Sequence, residues 1–345
     1  MLLNNSISLQ IVPLYFNRTV VIGGVNYLLD KNGSHLTVSV INTRTETPDF
    51  FNGRFSGSDS SVFAAQYEDS VLFYAAGTGS GAPLSLDPGW DAVGAGDFDG
   101  DGKDDVLRIN ADGYVAGEFS NGNGTFSSQS LNFLNDGWSI LGIGDFNGND
   151  TADVLVANPT AASATTGLIG YWEGGTTWTL IDGYSSNDWW VAGTGDFNGD
   201  GKCDILWQNS FISEVDGLTC NKYGTMLVYN NSTTWNPSFY TANPDMWSFL
   251  CTGDFDGDET DDIAMINGSG EINVWRIING GVASTSALNS NNGVDTSIWS
   301  FAGVGDFNGD GTDDIAWCNT VTGQSQYWQI SNMAISTPQD IGTLA

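Results

Sequence analysis

Five short blocks of the chain crowd oxygen-bearing side chains at one fixed spacing. Positions 1, 3, 5 and 9 read Asp97/Asp99/Asp101/Asp105, Asp145/Asn147/Asn149/Asp153, Asp196/Asn198/Asp200/Asp204, Asp254/Asp256/Asp258/Asp262 and Asp306/Asn308/Asp310/Asp314. Alternate side chains of a tightly curled loop converge on one point. The residue at position 7 (Lys103, Thr151, Lys202, Thr260, Thr312) varies without regard to metal chemistry, so its backbone carbonyl is the expected further ligand. An all-oxygen donor set suits a hard cation. Ca²⁺ accepts a flexible loop supplying several carboxylates, whereas Mg²⁺ demands tighter octahedral geometry and keeps its water. The blocks are therefore read as up to five Ca²⁺ sites.

The charge is concentrated there: the blocks hold 21 of the 41 acidic residues, in a chain with 9 basic residues and a formal net charge of −32. At an effective dielectric of ~20, two unit charges ~4 Å apart repel by about 4 kcal/mol, so clustered carboxylates without a cation oppose folding and metal binding is expected to assist it. A solvated Asp/Gly turn would account for one such block; five with the same fourth ligand argue for a metal. An EF-hand loop also opens D-x-D-x-D-G, but position 12 of the first block is Arg108 rather than Glu, and strand-like runs flank the blocks. Position 6 is Gly102, Gly201 and Gly311 in three blocks but Asp150 and Glu259 in the others. A left-handed backbone there would cost about 1 kcal/mol without glycine. With two neutral Asn ligands as well, the Asp145 loop is expected to hold its ion most weakly.

The elements that position these blocks come from a repeat. The opening aspartates are spaced 48, 51, 58 and 52 residues apart, and Trp90, Trp138, Trp189, Trp247 and Trp299 each lie seven residues before one of them. Each block leads into an apolar run such as Ile205-Leu206-Trp207 or Ile315-Ala316-Trp317. Two decayed copies precede these: Gly53–Asp59 followed by Val62–Ala65, and a hairpin from Tyr27 to Val40. Seven copies give about 49 residues each. Every unit reads as four short strands without helical periodicity, the pattern of propeller blades that bury both faces against neighbours. The expectation is an all-β chain forming one domain over 1–345, a seven-bladed β-propeller of four-stranded antiparallel blades. Two degenerate blades would fill about 1–85 and five metal-loop blades about 86–345. The longest insertion, Gln208 to Tyr223, falls between the second and third strands of the fifth copy.

Composition removes several classes of partner. No Lys/Arg cluster exists to neutralise phosphates, which argues against nucleic acid and against an anionic membrane surface. No stretch approaches the ~18 consecutive apolar residues of a membrane span, so no membrane insertion is expected. The start of the chain has neither a basic nor a long apolar region, so a secretory leader is absent or already removed. Cys203, Cys220, Cys251 and Cys318 show no C-x-x-C spacing, which argues against a zinc knuckle and leaves at most two disulfides.

The block G-D-F-[DN]-G-D-G-x-x-D-[IV] resembles the FG-GAP/VCBS repeat of integrin α-subunit propellers and of many secreted bacterial and fungal proteins. The resemblance covers about 90–330. It implies a Ca²⁺ in the loop between the first two strands of a blade, on the five residue sets named above, and none at the decayed copies at Arg54 and near Tyr15. Family members include adhesion receptors, mushroom propeller lectins and accessory domains of polysaccharide-degrading enzymes, and the fold does not choose among them.

Residue inventory weighs against an enzyme. The only histidine, His35, lies in a decayed copy as an ordinary strand residue, and no G-x-S-x-G, H-E-x-x-H or phosphate loop is present. A carboxylate pair of the glycosidase type, built on Glu118 or Glu173, remains an alternative. Aromatics favour binding: the third strands end in Tyr74, Phe119, Trp172, Tyr229, Trp275 and Trp328, and Trp189-Trp190 must send rings to opposite faces. Trp172, Trp190, Tyr229, Trp275 and Trp328 are the candidate ligand-binding rings, set against the rival reading that such rings fill the wedge between sheets. The leading expectation is an extracellular or cell-surface Ca²⁺-stabilised propeller, not an enzyme, that binds a glycan or another surface ligand. The alternatives are a protein-binding adhesion scaffold and a polysaccharide lyase or hydrolase.

Overall fold

A computed structural model describes residues 18–22, 25–32, 35–40, 49–56, 61–67, 69–75, 79–80, 83–163, 166–184, 189–212, 219–229, 232–242, 247–288, 293–331, 333–336 and 338–343. The chain divides into two units, Met1–Thr47 and Pro48–Ala345. The first contains a three-stranded antiparallel meander of Arg18–Ile22, Val25–Asn32 and His35–Val40.

The second unit is a ring of six antiparallel blades. The first blade is Asp49–Gly53, Val62–Tyr67 and Ser70–Ala75, with the short strands Gly79–Ser80 and Leu84–Ser85 on its outer edge. The second is Trp90–Gly96, Asp105–Asn110, Tyr114–Ser120 and Phe126–Phe133. The third is Ser139–Gly144, Asp153–Ser163, Thr166–Glu173 and Thr177–Tyr184. The fourth is Trp189–Gly195, Asp204–Ile212, Thr219–Tyr229 and Ser232–Ala242. The fifth is Ser248–Gly253, Asp262–Ile266, Ile272–Ile278 and Gly281–Ala287. The sixth is Trp299–Gly305, Asp314–Asn319, Gln324–Trp328 and Gln339–Thr343. The Gln208–Tyr223 insertion lengthens the central hairpin of the fourth blade.

Second strands are continuous apolar runs because both their faces are covered. Val154-Leu155-Val156, Ile205-Leu206-Trp207 and Ile315-Ala316-Trp317 are all buried. Six apolar clusters fill the six seams between blades, from Phe55 and Phe73 against Val106 to Phe307 and Tyr327 against Ala65. In each seam one ring comes from position 2 of a loop, in the series Phe55, Phe98, Phe146, Phe197, Phe255 and Phe307. The decayed copy at Arg54 thus kept the packing ring after losing its acids.

The expected seventh blade is corrected by the way the ring closes. Position 8 of each loop donates its backbone N–H to the carbonyl of position 1 in the preceding blade: Asp104 to Arg54, Ala152 to Asp97, Cys203 to Asp145, Asp261 to Asp196 and Asp313 to Asp254, at 2.6–3.3 Å. The sixth tie runs from Ser61 to Asp306 at 2.6 Å, joining the last blade directly to the first. Gly305 sits against Asn52 and Ser61 at the same seam. The circle is complete without the Tyr27–Val40 hairpin, which belongs to the separate N-terminal unit.

Candidate functional site

The five acidic blocks form one recurring loop between the first and second strands of blades two to six. In all five, the position-1 aspartate folds the loop around itself. Its Oδ1 accepts the N–H of position 4 at 2.6–2.7 Å and its Oδ2 accepts that of position 6 at 2.7–2.9 Å. Position 6 has a left-handed backbone in all five loops. Asp150 and Glu259 adopt it at φ 61° and 64° where the other loops have Gly102, Gly201 and Gly311.

Position 5 lies on the solvent side of the loop. Asp101, Asn149, Asp200, Asp258 and Asp310 are all exposed, and each accepts the N–H of position 7 at 2.9–3.1 Å. Position 5 thus forms the outer rim of each loop. The one amide oxygen of Asn149 is engaged by both the N–H and the hydroxyl of Thr151. Asp200 Oδ1 accepts the Lys202 N–H at 3.1 Å, and Asp200 does not gather with Asp196 and Asp204 into a carboxylate cluster among the described residues. A short polar side chain two residues before a free N–H closes a turn of its own backbone, and Asp258 does so while still gathering with Asp254 and Asp256.

Position 9 begins the second strand and lies at the base of the loop. Asp105, Asp153, Asp204, Asp262 and Asp314 are each 0% exposed. One oxygen of each accepts an N–H from the third strand or the residues just past it, from Ser120, Gly174, Val228, Ile277 and Ile330 respectively. In four loops the other oxygen accepts the N–H of the position-2 phenylalanine. Burial raises these carboxyls from the ordinary 3.8 to about 7 for Asp105, Asp153, Asp204 and Asp314. Asp262 is pushed to about 8, and its Oδ2 is buried with no hydrogen-bond partner.

Position 3 separates the loops into two kinds. Where it is asparagine, its amide nitrogen faces the position-9 carboxylate: Asn147 to Asp153 at 3.3 Å, Asn198 to Asp204 at 2.9 Å and Asn308 to Asp314 at 3.0 Å. Where it is aspartate, carboxylates gather instead. Asp97, Asp99 and Asp105 each offer an oxygen within 4.8 Å of the others, as do Asp254, Asp256 and Asp258. Two oxygens bound to one Ca²⁺ at about 2.3–2.6 Å lie at most about 5 Å apart, so these two donor sets fit the ion. The three asparagine loops would need the amide turned to present its oxygen. Protein cations already touch the aspartate loops: Lys103 pairs with Asp101, and Arg276 pairs with Asp256 and with Asp258, the latter at 2.7 Å.

Position 8 carried no role in the sequence reading. Besides its backbone tie, the side chain of Asp104 accepts the N–H of Arg54, that of Asp261 the N–H of Asp196 and that of Asp313 the N–H of Asp254, at 2.6–3.0 Å. Burial lifts Asp261 to about 7 and Asp313 to about 6. The signal was available: positions 8 and 9 are adjacent at a strand start, so their side chains must face opposite ways.

The candidate ligand-binding rings are largely structural. Trp172, Trp275 and Trp328 are 7%, 8% and 7% exposed and belong to the seams between blades, so their faces are covered by neighbouring side chains. This corrects the expectation that they form a binding platform. Trp190 is half-buried, and the side chains of Tyr229, His35 and Cys220 lie outside the described residues. The Trp series seven residues before each loop is half-buried against the same seams. Phe119 differs. With Leu131 it lines a groove of about 530 Å³ beside the Asp97 loop, rimmed by Asn121, Ser127, Gln129 and Thr176.

Glu118 is a poor general acid, because it is buried with Oε1 2.7 Å from Arg108 Nε, an ion-pair distance though out of line for a hydrogen bond. The same guanidinium stacks on Trp90 at 4.3 Å and donates to Ser128 at 2.6 Å. Glu173 is exposed at the end of its strand. Cys203, Cys251 and Cys318 are unbridged.

The fold and its loops define a β-propeller of four-stranded blades. The FG-GAP-like repeat family matches residues 97–156 and 254–317. The chain carries FG-GAP-like repeats, and its ring holds six blades. No curated protein matches its sequence. Among solved structures it is similar to an Agrocybe aegerita lectin described as specifically recognising non-reducing terminal N-acetylglucosamine, at 14% identity over 92% of this chain and 88% of that one, TM-score 0.54. It is also similar to AofleA from Arthrobotrys oligospora, at 10% identity over 86% and 87%, TM-score 0.51. At such identities the likeness is one of fold.

Proposed function

We propose that the protein is an extracellular propeller, held together by Ca²⁺, that binds carbohydrate. The observation that carries this reading is the groove beside the Asp97 loop. It sets an aromatic ring and Leu131 among short amide and hydroxyl side chains. A sugar ring offers the matching surface, with apolar C–H faces and hydroxyls at its edge. The groove is built on two blades, since Gly174 and Thr176 of the third close it against strands of the second. Ca²⁺ at the adjoining loop would be held by Asp97, Asp99 and Asp105 and would neutralise charge at the groove wall. Concentrations of the ion outside cells suit modest-affinity sites of this kind.

The fold neighbour described as recognising terminal N-acetylglucosamine makes glycans ending in that sugar the first ligands to test. Binding on a glycan array that free monosaccharide competes away, that Gln129→Ala removes without lowering the melting temperature, and that Phe119→Ala removes with some loss of stability from its seam packing, is the expected result. A null array, or binding untouched by both substitutions, would count against the groove. The exposed pair Tyr114 and Phe133, on the third and fourth strands of the second blade and in edge contact at 5.1 Å, favours a second reading as a protein-binding scaffold.

A further inference from the structure

In each of the five loop-bearing blades one register position at the end of the third strand lies level with the position-9 aspartate. The ladder pairs Val106 with Glu118, Val154 with Trp172, Ile205 with Met226, Ile263 with Trp275 and Ile315 with Trp328. The next residue is therefore equivalent in all five blades: Phe119, Glu173, Leu227, Arg276 and Gln329. Gln329 shows its reach, donating to Asp310 Oδ2 at position 5 of its loop at 3.2 Å. Arg276 alone brings a positive charge. Its Nη2 donates to Asp258 Oδ2 at 2.7 Å and its Nε is ion-paired with Asp256, so positions 3 and 5 of the Asp254 loop are both engaged.

We propose that Arg276 is a tethered counter-cation of the Asp254 loop that Ca²⁺ must displace, making this loop harder to fill than its four ligand carboxylates imply. The inference rests on the calcium reading of the loops. Two observations argue that the guanidinium occupies the place of an ion without fully replacing it. It satisfies the outer carboxylates, Asp256 and Asp258, which are the oxygens that cluster with Asp254. It leaves the inner one wanting: Asp262 Oδ2 is buried without a hydrogen-bond partner, whereas the other four loops give the equivalent oxygen a phenylalanine N–H. The guanidinium on the outer pair leaves that oxygen unpaired, an unused inner donor of the loop. The side chain of Arg276 is 37% exposed, so it can swing into solvent when displaced.

The test is Ca²⁺ titration of the full-length, decalcified protein against a chromophoric chelator, with bound calcium per chain counted by elemental analysis. Arg276→Gln is expected to tighten one site by about tenfold or more, the scale of a charge-assisted contact to a carboxylate, and Arg276→Lys by less. Adding Asp256→Asn to Arg276→Gln should abolish the gain, which assigns it to this loop. If wild type and Arg276→Gln bind the same number of ions with the same affinities, the counter-cation idea is wrong while the calcium reading stands. If neither protein binds Ca²⁺, both fall together.

Discussion

In metal-free buffer the protein is expected to melt at a lower temperature at about pH 8 than at about pH 5, the reverse of what the proposed Ca²⁺ loading should give. The cause is the set of five aspartates at the base of the loops. Burial raises Asp105, Asp153, Asp204 and Asp314 to about 7 and Asp262 to about 8, from 3.8. A shift of about three units corresponds to about 4 kcal/mol for one group once both states are fully ionised. The sign follows from where the proton sits. Below the unfolded value both states hold it, and nothing is lost. As pH rises from 3.8 toward the folded values, the unfolded chain ionises while the native state does not, so stability drains away and levels off above about 7 to 8. Five such groups at full effect would approach about 20 kcal/mol, more than the about 5–15 kcal/mol net stability of an ordinary domain. The metal-free loops must therefore relax, stay protonated or take up a cation. With Ca²⁺ bound, the carboxylates are favoured in their charged form, their folded values fall below the unfolded one, and stability is instead lost as pH drops through the acidic range. Thermal melts across this range, in metal-free buffer with and without saturating Ca²⁺, provide the assay. Parallel curves in the two conditions, or a metal-free melting temperature that climbs with pH, would refute the reasoning.

Other expectations concern the scaffold. Gly144→Ala drives a Cβ into Cys203 Sγ of the next blade, well inside van der Waals contact, and should destabilise by about 1–3 kcal/mol in urea melts, with Cys203→Ala restoring part of the loss. Glu259→Gly and Asp150→Gly relieve left-handed strain at φ 64° and 61°, so each should raise the denaturant midpoint by an amount equivalent to about 1 kcal/mol or less. Glu118→Gln leaves the buried Arg108 guanidinium without its 2.7 Å carboxylate partner and should cost about 3–5 kcal/mol; an unchanged midpoint would mean that Asp87 compensates.

What the sequence determined by itself is local and repetitive: the strands, the loops between the first two strands of a blade, the left-handed turn at position 6 and the antiparallel four-stranded unit. Each depends on contacts within about fifty residues, so each copy carried the information separately. The number of blades did not. The hairpin from Tyr27 to Val40 resembles a blade fragment, but counting copies says nothing of whether the last seam accepts another sheet, and only the contact between Ser61 and Asp306 decides that. The same limit governs the site. The spacing of acids marks the loops, but spacing alone treats Asn149 and Asp200 as equal to the buried aspartates at position 9, and only the folded loop separates an exposed rim from a buried base. The covering of Trp172, Trp275 and Trp328, the approach of Arg276 to Asp256 and the groove beside Phe119 arise between strands and between blades. Burial and charge at a side chain are set by whichever segment packs against it, and that segment is distant in the chain.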